Sequence, residues 1–395
     1  MLKFAHFVID DKFIPDSIKC FDGAKLTCNS YYYIKENNAE LQFLDPNKVK
    51  VISKQVAADI LSNTSIDVVC LHSLYSLPFD LICMINKNIK VIWYAWGFDL
   101  YSNPAPTGPL LEIGDKIMPI TKSLHPSEKW KTKLLKKSKE VIKKTLGFYS
   151  DITPDKVFSA LNRIDYFSGV FENEFDMLSE SQPLFRAKKV IQNYIHPEEF
   201  KLEDIDMPIK LTGHNILLGN SATYHINHVD IMYQIKDYVD VTAKIITPLS
   251  YQIVPAYVEQ VIKEGKRLFG DNFVPLKGYL PFDEYTKIMN SCDSLILGQK
   301  QQAATCNCLT AMWNGLKLFL PEDSMNYQYY SQLGFVIFSI EKDFSKKPML
   351  SKDDIMHNRI LIEKLYSYRA WVRDLQNTIE LLEKDIVEKN NNAYE

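Results

Sequence analysis

The chain has 395 residues, 46% hydrophobic and 24% charged, with 14 glycines and no low-complexity tract, which excludes a disordered or collagen-like polymer and favours two packed domains. A formal net charge of -3 excludes the global basic excess of a nucleic-acid binder. Seven cysteines in no framework spacing exclude a disulfide scaffold; reduced thiols are expected, with Cys70 and Cys83 buried in apolar runs.

The opening MLKFAHFVID reaches two aspartates too early for a signal segment, and no window approaches the length of a membrane span. Short β-branched or aromatic runs at 3–9, 67–72, 90–96 and 163–170 read as strands, with a weaker one at 189–194. Residues 47–62 carry helical spacing of Val, Ile and Leu. Strand–helix alternation of this kind predicts a parallel sheet covered by helices. Residues 196–207, acidic and without periodicity, read as an interdomain linker.

The pattern then restarts. Strands are expected at 215–218, 242–246, 273–276, 294–297, 317–320 and 335–339, with helices at 257–269, 282–290 and 303–314. A charged helical stretch, 353–389, follows. Two successive doubly wound domains and a long final helix suit an α/β fold of the GT-B type, two Rossmann-like domains facing a central cleft. Some epimerases share that architecture, so it leaves function open.

Candidate chemistry sits at expected strand ends. In ILLGNSATYHINH, residues 216–228, a strand enters a turn at Gly219, Asn220 and Ser221 and a helix begins near Asn227. Glycine permits close backbone approach and a helix start favours an anion, which suits a diphosphate; a plain N-capped turn gives the same pattern. Gln301, Gln302, Thr305 and Asn307 open a second such helix, where capping is again the alternative. Asp99, His72 and Glu174 (beside Glu172) are candidates for the general base toward an acceptor hydroxyl, and each also reads as a turn or cap residue. Cys306 and Cys308 have no second pair or nearby His, and no Asp-x-Asp stands in a suitable loop. Metal-independent transfer is therefore expected, with neither metal nor cofactor. Residues 126–146 carry eight Lys against two Glu, with Trp130, Leu134, Val141, Ile142 and Leu146 at helical spacing. Such a helix, with Trp130, Lys131, Lys136 and Lys137 foremost, suits an anionic membrane surface or packs on its own domain.

At Gly219-Asn220-Ser221-Ala222, Asn227-His228, Leu249-Ser250-Tyr251, Gly278-Tyr279-Leu280-Pro281-Phe282, Tyr285 and Gln301-Gln302 the chain resembles the TDP-N-acetylfucosamine:lipid II N-acetylfucosaminyltransferases, glycosyltransferase family 56. Gly315-Leu316-Lys317 and Leu333-Gly334 continue the likeness; His6-Phe7-Val8, Asp11, Phe13, Trp96-Gly97 and Asp99 share it more thinly. The resemblance implies transfer of a deoxy-amino sugar from a dTDP donor, a substrate rather than a cofactor, to a polyprenyl-diphosphate-linked saccharide. The product would serve a common antigen or O-antigen-like surface polysaccharide. It implies donor contacts at Gly219, Asn220, Ser221, Asn227 and His228, with Tyr251, Tyr279, Leu280, Tyr285, Gln301, Gln302 and Asn307 nearby. Thr223 to Ile226 and Ala304 to Cys306 depart from the family pattern, and the paired Glu of many retaining relatives is missing, which favours inversion.

The expected organisation is an acceptor and membrane-side domain at 1–205, a donor domain at 206–360 and a final helix at 361–395 able to pack back on the first. Partners would be the donor, a lipid-linked acceptor and the inner face of a bacterial plasma membrane, from the cytoplasmic side, with no nucleic acid. Two rivals remain: a non-hydrolysing nucleotide-sugar epimerase, or an inactive nucleotide-binding module of a polysaccharide assembly complex.

Overall fold

The computed structural model describes residues 1–35, 40–101, 108–114, 116–124, 153–192, 205–209, 211–278 and 280–392. Trp130, Lys131, Lys136, Lys137 and Tyr279, and the linker reading at 196–207 except its last three residues, lie outside the described residues. The chain divides into two compact units: Met1–Glu112 with Trp130–Glu199 and Tyr366–Glu395, and Ile113–Lys129 with Phe200–Leu365.

The first unit holds seven parallel strands: β1 (Lys3–Phe7), β2 (Cys28–Ile34), β3 (Val49–Ile52), β4 (Val68–Leu71), β5 (Lys90–Tyr94), β6 (Tyr166–Ser168) and β7 (Lys188–Lys189). Their order is β3-β2-β1-β4-β5-β6-β7, so the winding reverses between β1 and β4. Central strands such as β4, VVCL, are apolar throughout because helices cover both faces. Two expectations need correction here. Residues 47–62 are strand β3 followed by helix Lys54–Ser62, not one helix. Val49 and Val51 alternate with lysine at strand period, and Ser53 caps the helix by accepting the Val56 N–H. Cys83 is exposed, because the short helix Phe79–Met84 buries Leu81 and Ile82 and turns Cys83 outward.

The final stretch is two helices, Lys352–Tyr366 and Tyr368–Asn392. The second gives Trp371, Leu375 and Leu382 to the same core as Phe4, Phe21, Val68 and Ile92. Trp371 meets Phe21 edge-on at 5.0 Å. Asp385, on the same helix, accepts from the Tyr166 hydroxyl and from Lys188.

The second unit holds β8 (Asn215–Leu218), β9 (Ile245–Pro248), β10 (Phe273–Leu276), β11 (Cys292–Ile296), β12 (Lys317–Leu320) and β13 (Phe338–Ser339). They are parallel in the order β10-β9-β8-β11-β12-β13, with the reversal between β8 and β11. Residues 113–124 belong to this unit although they lie far upstream of it in sequence. The Met118 N–H donates to Asn227 Oδ1 at 2.8 Å. The Ile120 and Thr121 N–H groups donate to the two Asp230 oxygens at 2.8 and 2.7 Å. Ile117, Met118, Ile120 and Leu124 pack on the second core. Asp230 thus satisfies the start of helix Pro119–Ser123 from another element.

Candidate active site

Ligands of open α/β sheets sit at the carboxyl ends of strands where the winding reverses. In the second unit that edge carries the loops after β8 and β11. Gly219, at φ 77°, leaves β8 in the left-handed region and donates to the Ile296 carbonyl of β11 at 2.9 Å. Ala222 donates to the Tyr251 carbonyl and accepts from Val254, which ties in the loop after β9. Gly298, after β11, lies so close to the turn before Asn227 that a Cβ there would come 2.5 Å from the Ile226 carbonyl oxygen.

Within this frame the expected contact residues divide. Asn227 is wholly buried with its amide committed to the protein: Oδ1 accepts from Met118, and Nδ2 faces the carbonyls of Lys116, His225 and Gly298. It ties three loops together. His228 accepts a different role. Its backbone N–H donates to the Tyr257 hydroxyl oxygen at 3.0 Å, and the same oxygen lies 3.2 Å from its Nδ1. Its Nε2 is buried without a hydrogen-bond partner among the described residues. Burial pushes the ring down to about 3, so it is neutral.

Three further buried oxygens at this edge have no hydrogen-bond partner among the described residues: Asn220 Oδ1, Gln299 Oε1 and Gln301 Oε1. Ser221 is buried beside them in sequence, and Gln302 donates to the Thr305 hydroxyl at 2.9 Å. Helix Thr305–Asn314 follows Ala304, a left-handed residue at φ 56°, and starts with no side-chain cap. The Asn326 amide, unmarked by any sequence signal, grips Ala303 through both its N–H and its carbonyl. Asn307 is half-buried one turn into that helix, and Tyr251 is 44% exposed. Leu280 is half-buried ahead of helix Phe282–Asn290. Tyr285, on that helix, is half-buried, with its hydroxyl oxygen enclosed; the thiols of Cys292 and Cys308 are near enough to act on it, and burial pushes the hydroxyl up.

The candidate bases belong to the first unit, where His72 follows β4 at its winding reversal. His6 Nδ1 lies 2.9 Å from His72 Nε2, with both rings buried, and burial pushes His6 down to about 4. Asp99 is wholly buried and receives the Ser73 hydroxyl (2.7 Å), the Leu74 N–H (3.3 Å), the Trp93 indole (3.3 Å) and the Trp96 N–H (3.0 Å). Burial pushes its carboxyl up to about 6 against those donors. Glu174 is equally enclosed, accepting from the Tyr101 hydroxyl at 2.7 Å and the Phe171 N–H at 2.9 Å, and burial pushes it up to about 7. Asp99 clamps the loops after β4 and β5, and Glu174 clamps the turn after β6. Their geometry is that of positioning residues.

Among the described residues, no cluster of three or more His, Cys, Asp or Glu gathers to hold a metal ion, and no helix is long and apolar enough to cross a membrane.

Comparisons with known proteins place this arrangement. HepE of Anabaena, solved with UDP and glucose, superposes with a TM-score of 0.62 at 8% identity, over 96% of this chain and 100% of that one. A glycosyltransferase of Rickettsia africae ESF-5 gives 0.61 at 12% identity, over 98% of each chain. The lipopolysaccharide outer core galactosyltransferase WaaB gives 0.59 at 9%, over 96% of this chain and 98% of that one. These likenesses establish the fold: two parallel-sheet α/β units whose structural neighbours are GT-B glycosyltransferases. Residues 160–318 match the family model described as 4-alpha-L-fucosyltransferase glycosyl transferase group 56, so the family resemblance read from the sequence is to glycosyltransferase family 56 and supports a glycosyltransferase.

Proposed function

We propose that the protein transfers a sugar from a nucleoside-diphosphate sugar held at the β8/β11 edge of the second unit. The observation that carries this is the pairing, on one edge, of buried unpartnered amide oxygens with an uncapped helix start. Amide oxygens at Asn220, Gln299 and Gln301 suit the hydroxyls of a sugar. The N–H groups at the uncapped start of helix Thr305–Asn314 suit a diphosphate. Both halves of a nucleotide sugar thus find their chemistry, and the UDP and glucose of HepE are in keeping with it.

The finer reading rests on the residue resemblance: a dTDP-linked deoxy-amino sugar as donor, and a polyprenyl-diphosphate-linked saccharide as acceptor at the inner face of a bacterial membrane. The basic segment 126–146 supports a membrane surface by its composition. Transfer proceeds without a metal, since helix dipoles and uncharged side chains meet the leaving charge, and with inversion. Asn227 and Asp230 hold the donor loops to the 116–121 segment.

The test is a thermal shift with dTDP and with UDP at millimolar concentration. At 100-fold over Kd the donor nucleotide adds about 2.7 kcal/mol of stability. Absence of any shift with either nucleotide overturns the donor assignment.

A further inference from the structure

A neutral imidazole carries one proton, and the hydrogen bond at one ring nitrogen decides whether the other donates or accepts. His228 opens helix His228–Ile235, and Tyr257 lies on helix Pro255–Phe269, both in the second unit. Both side chains are wholly buried. The Tyr257 oxygen receives the His228 backbone N–H at 3.0 Å. The Thr121 hydroxyl acts on Tyr257 in the lowering direction, as a donor to that oxygen does, but burial outweighs it and raises the phenol, which keeps its proton. With its oxygen already receiving, Tyr257 gives that proton to His228 Nδ1, 3.2 Å away. Nδ1 is thereby the acceptor, and the ring's own proton stands on Nε2.

Nε2 lies against the turn at the end of β8. A Cβ on residue 219 would come 2.4 Å from it, so a glycine there keeps a side chain off this nitrogen. No atom among the described residues accepts its hydrogen bond. A buried N–H in that condition has lost its hydration with nothing in return, which a ligand oxygen would restore. The ring is held in place all the same: Tyr257 packs on Tyr224 with centroids 4.5 Å apart and stands 5.7 Å from the His228 ring. The spare groups of Asn220, Gln299 and Gln301 at this edge are oxygens, which repel an anion. The Nε2–H offers the opposite polarity, and an uncharged ring is buried at far less cost than an imidazolium.

Resting on the nucleotide-sugar reading above, we infer that Tyr257 is a positioning residue of the donor site, fixing His228 as a neutral Nε2–H donor to an oxygen of the donor's diphosphate. The ring stays neutral throughout, so it steadies charge on the diphosphate without passing a proton. Tyr257 touches no ligand in this arrangement; it acts through the tautomer of its neighbour.

The experiment labels the histidine rings with nitrogen-15 and records spectra that separate protonated from bare ring nitrogens, with His228→Gln assigning the His228 signals by their loss. In the parent, Nε2 carries the proton and Nδ1 is bare. Whichever of dTDP and UDP shifts the melting temperature also moves the Nε2 signal, while thymidine and uridine, which lack the diphosphate, leave it in place. Tyr257→Phe keeps the packing on Tyr224, mixes the two tautomers and weakens nucleotide binding about 10-fold. If Tyr257→Phe melts early, the His228 pair carries the test. His228→Gln, which keeps an N–H near the place of Nε2, binds nucleotide within about threefold of the parent, and His228→Leu loses about 10-fold or more. A parent spectrum with the proton on Nδ1 overturns the role of Tyr257. Nucleotide that shifts the melting temperature and leaves the Nε2 signal unmoved overturns the contact while the donor reading stands. A parent in which neither dTDP nor UDP moves the melting temperature or the spectrum overturns the donor reading, and this inference with it.

Discussion

The Nε2 of His228 lies 2.4 Å from the point where a Cβ on Gly219 would sit, and Ile226 Cγ2 lies 2.9 Å from it. Gly219→Ala therefore forces a side chain into both a left-handed backbone and an occupied space. It should destabilise the second unit by about 2–3 kcal/mol and remove the nucleotide-induced melting shift. Urea denaturation with and without nucleotide checks this. An alanine variant as stable and as responsive as the parent would show that the loop yields freely.

Asn227 is the joint between 116–118 and the two edge loops. Asn227→Ala leaves the Met118 N–H and the Lys116 and Gly298 carbonyls without their side-chain partner, at a cost of about 2–4 kcal/mol. Asn227→Asp should be no better, because it replaces a donor by a second acceptor facing three carbonyl oxygens. Hydrogen exchange at Met118, Ile120 and Thr121 should quicken in both variants. Unchanged exchange there would count against the joint.

Glu174 gives a pH dependence of known sign. Its folded pKa of about 7 lies above the ordinary carboxyl value of 4.5. The native state therefore binds the proton more tightly than the unfolded chain, and stability is lost as pH rises from about 4.5 to about 7. Glu174→Gln removes that dependence. The stability of the parent relative to the variant should fall by at most about 3 kcal/mol between pH 4.5 and pH 7.5. Denaturant titrations at three pH values measure it; a difference that grows with pH reverses the assignment. His6, with its pKa lowered to about 4, works in the opposite sense, so the comparison must be made as a difference between variants.

Trp371→Ala opens a cavity against Phe21 and the first core. The expected loss is about 3–5 kcal/mol, confined to the first unit. Calorimetry that resolves the two units should move one transition only. A shift of the second unit instead would place the final helix elsewhere.

Much of the second sheet could be read from the residues, because its strands are short apolar runs between helices of even spacing. The expected 215–218, 273–276 and 317–320 coincide with β8, β10 and β12. In the first half β2 escaped notice: CNSYYYI mixes polar and aromatic residues, and its packing partners lie in β1 and β3. Only tertiary pairing makes it a strand. Helix Met325–Gln332 escaped as well, because Tyr, Gln and Asn give it almost no apolar stripe. The loops of the candidate site were visible as strand-to-helix turns, but the allocation of roles within them was not. Asn227 and His228 are neighbours of similar polarity; a contact with Lys116 commits one, while a contact with Tyr257 leaves the Nε2 of the other open. Neither partner is near in sequence, and neither could be inferred from spacing. Asp99 drew attention as a carboxylate at a strand end, and what its position could not reveal was four converging donors.

The interleaving of the two units has a consequence for synthesis. Met118 and Thr121 each leave the ribosome 109 residues ahead of the side chains that receive them. At about 5–20 residues per second, that is a wait of roughly 5–20 seconds with Ile117, Ile120 and Leu124 uncovered. Trp371, Leu375 and Leu382 must likewise emerge before a core begun at Phe4 can close. The earlier-made unit is thus the later to finish, and a cut near residue 205 would deprive both halves of a piece of their own interior.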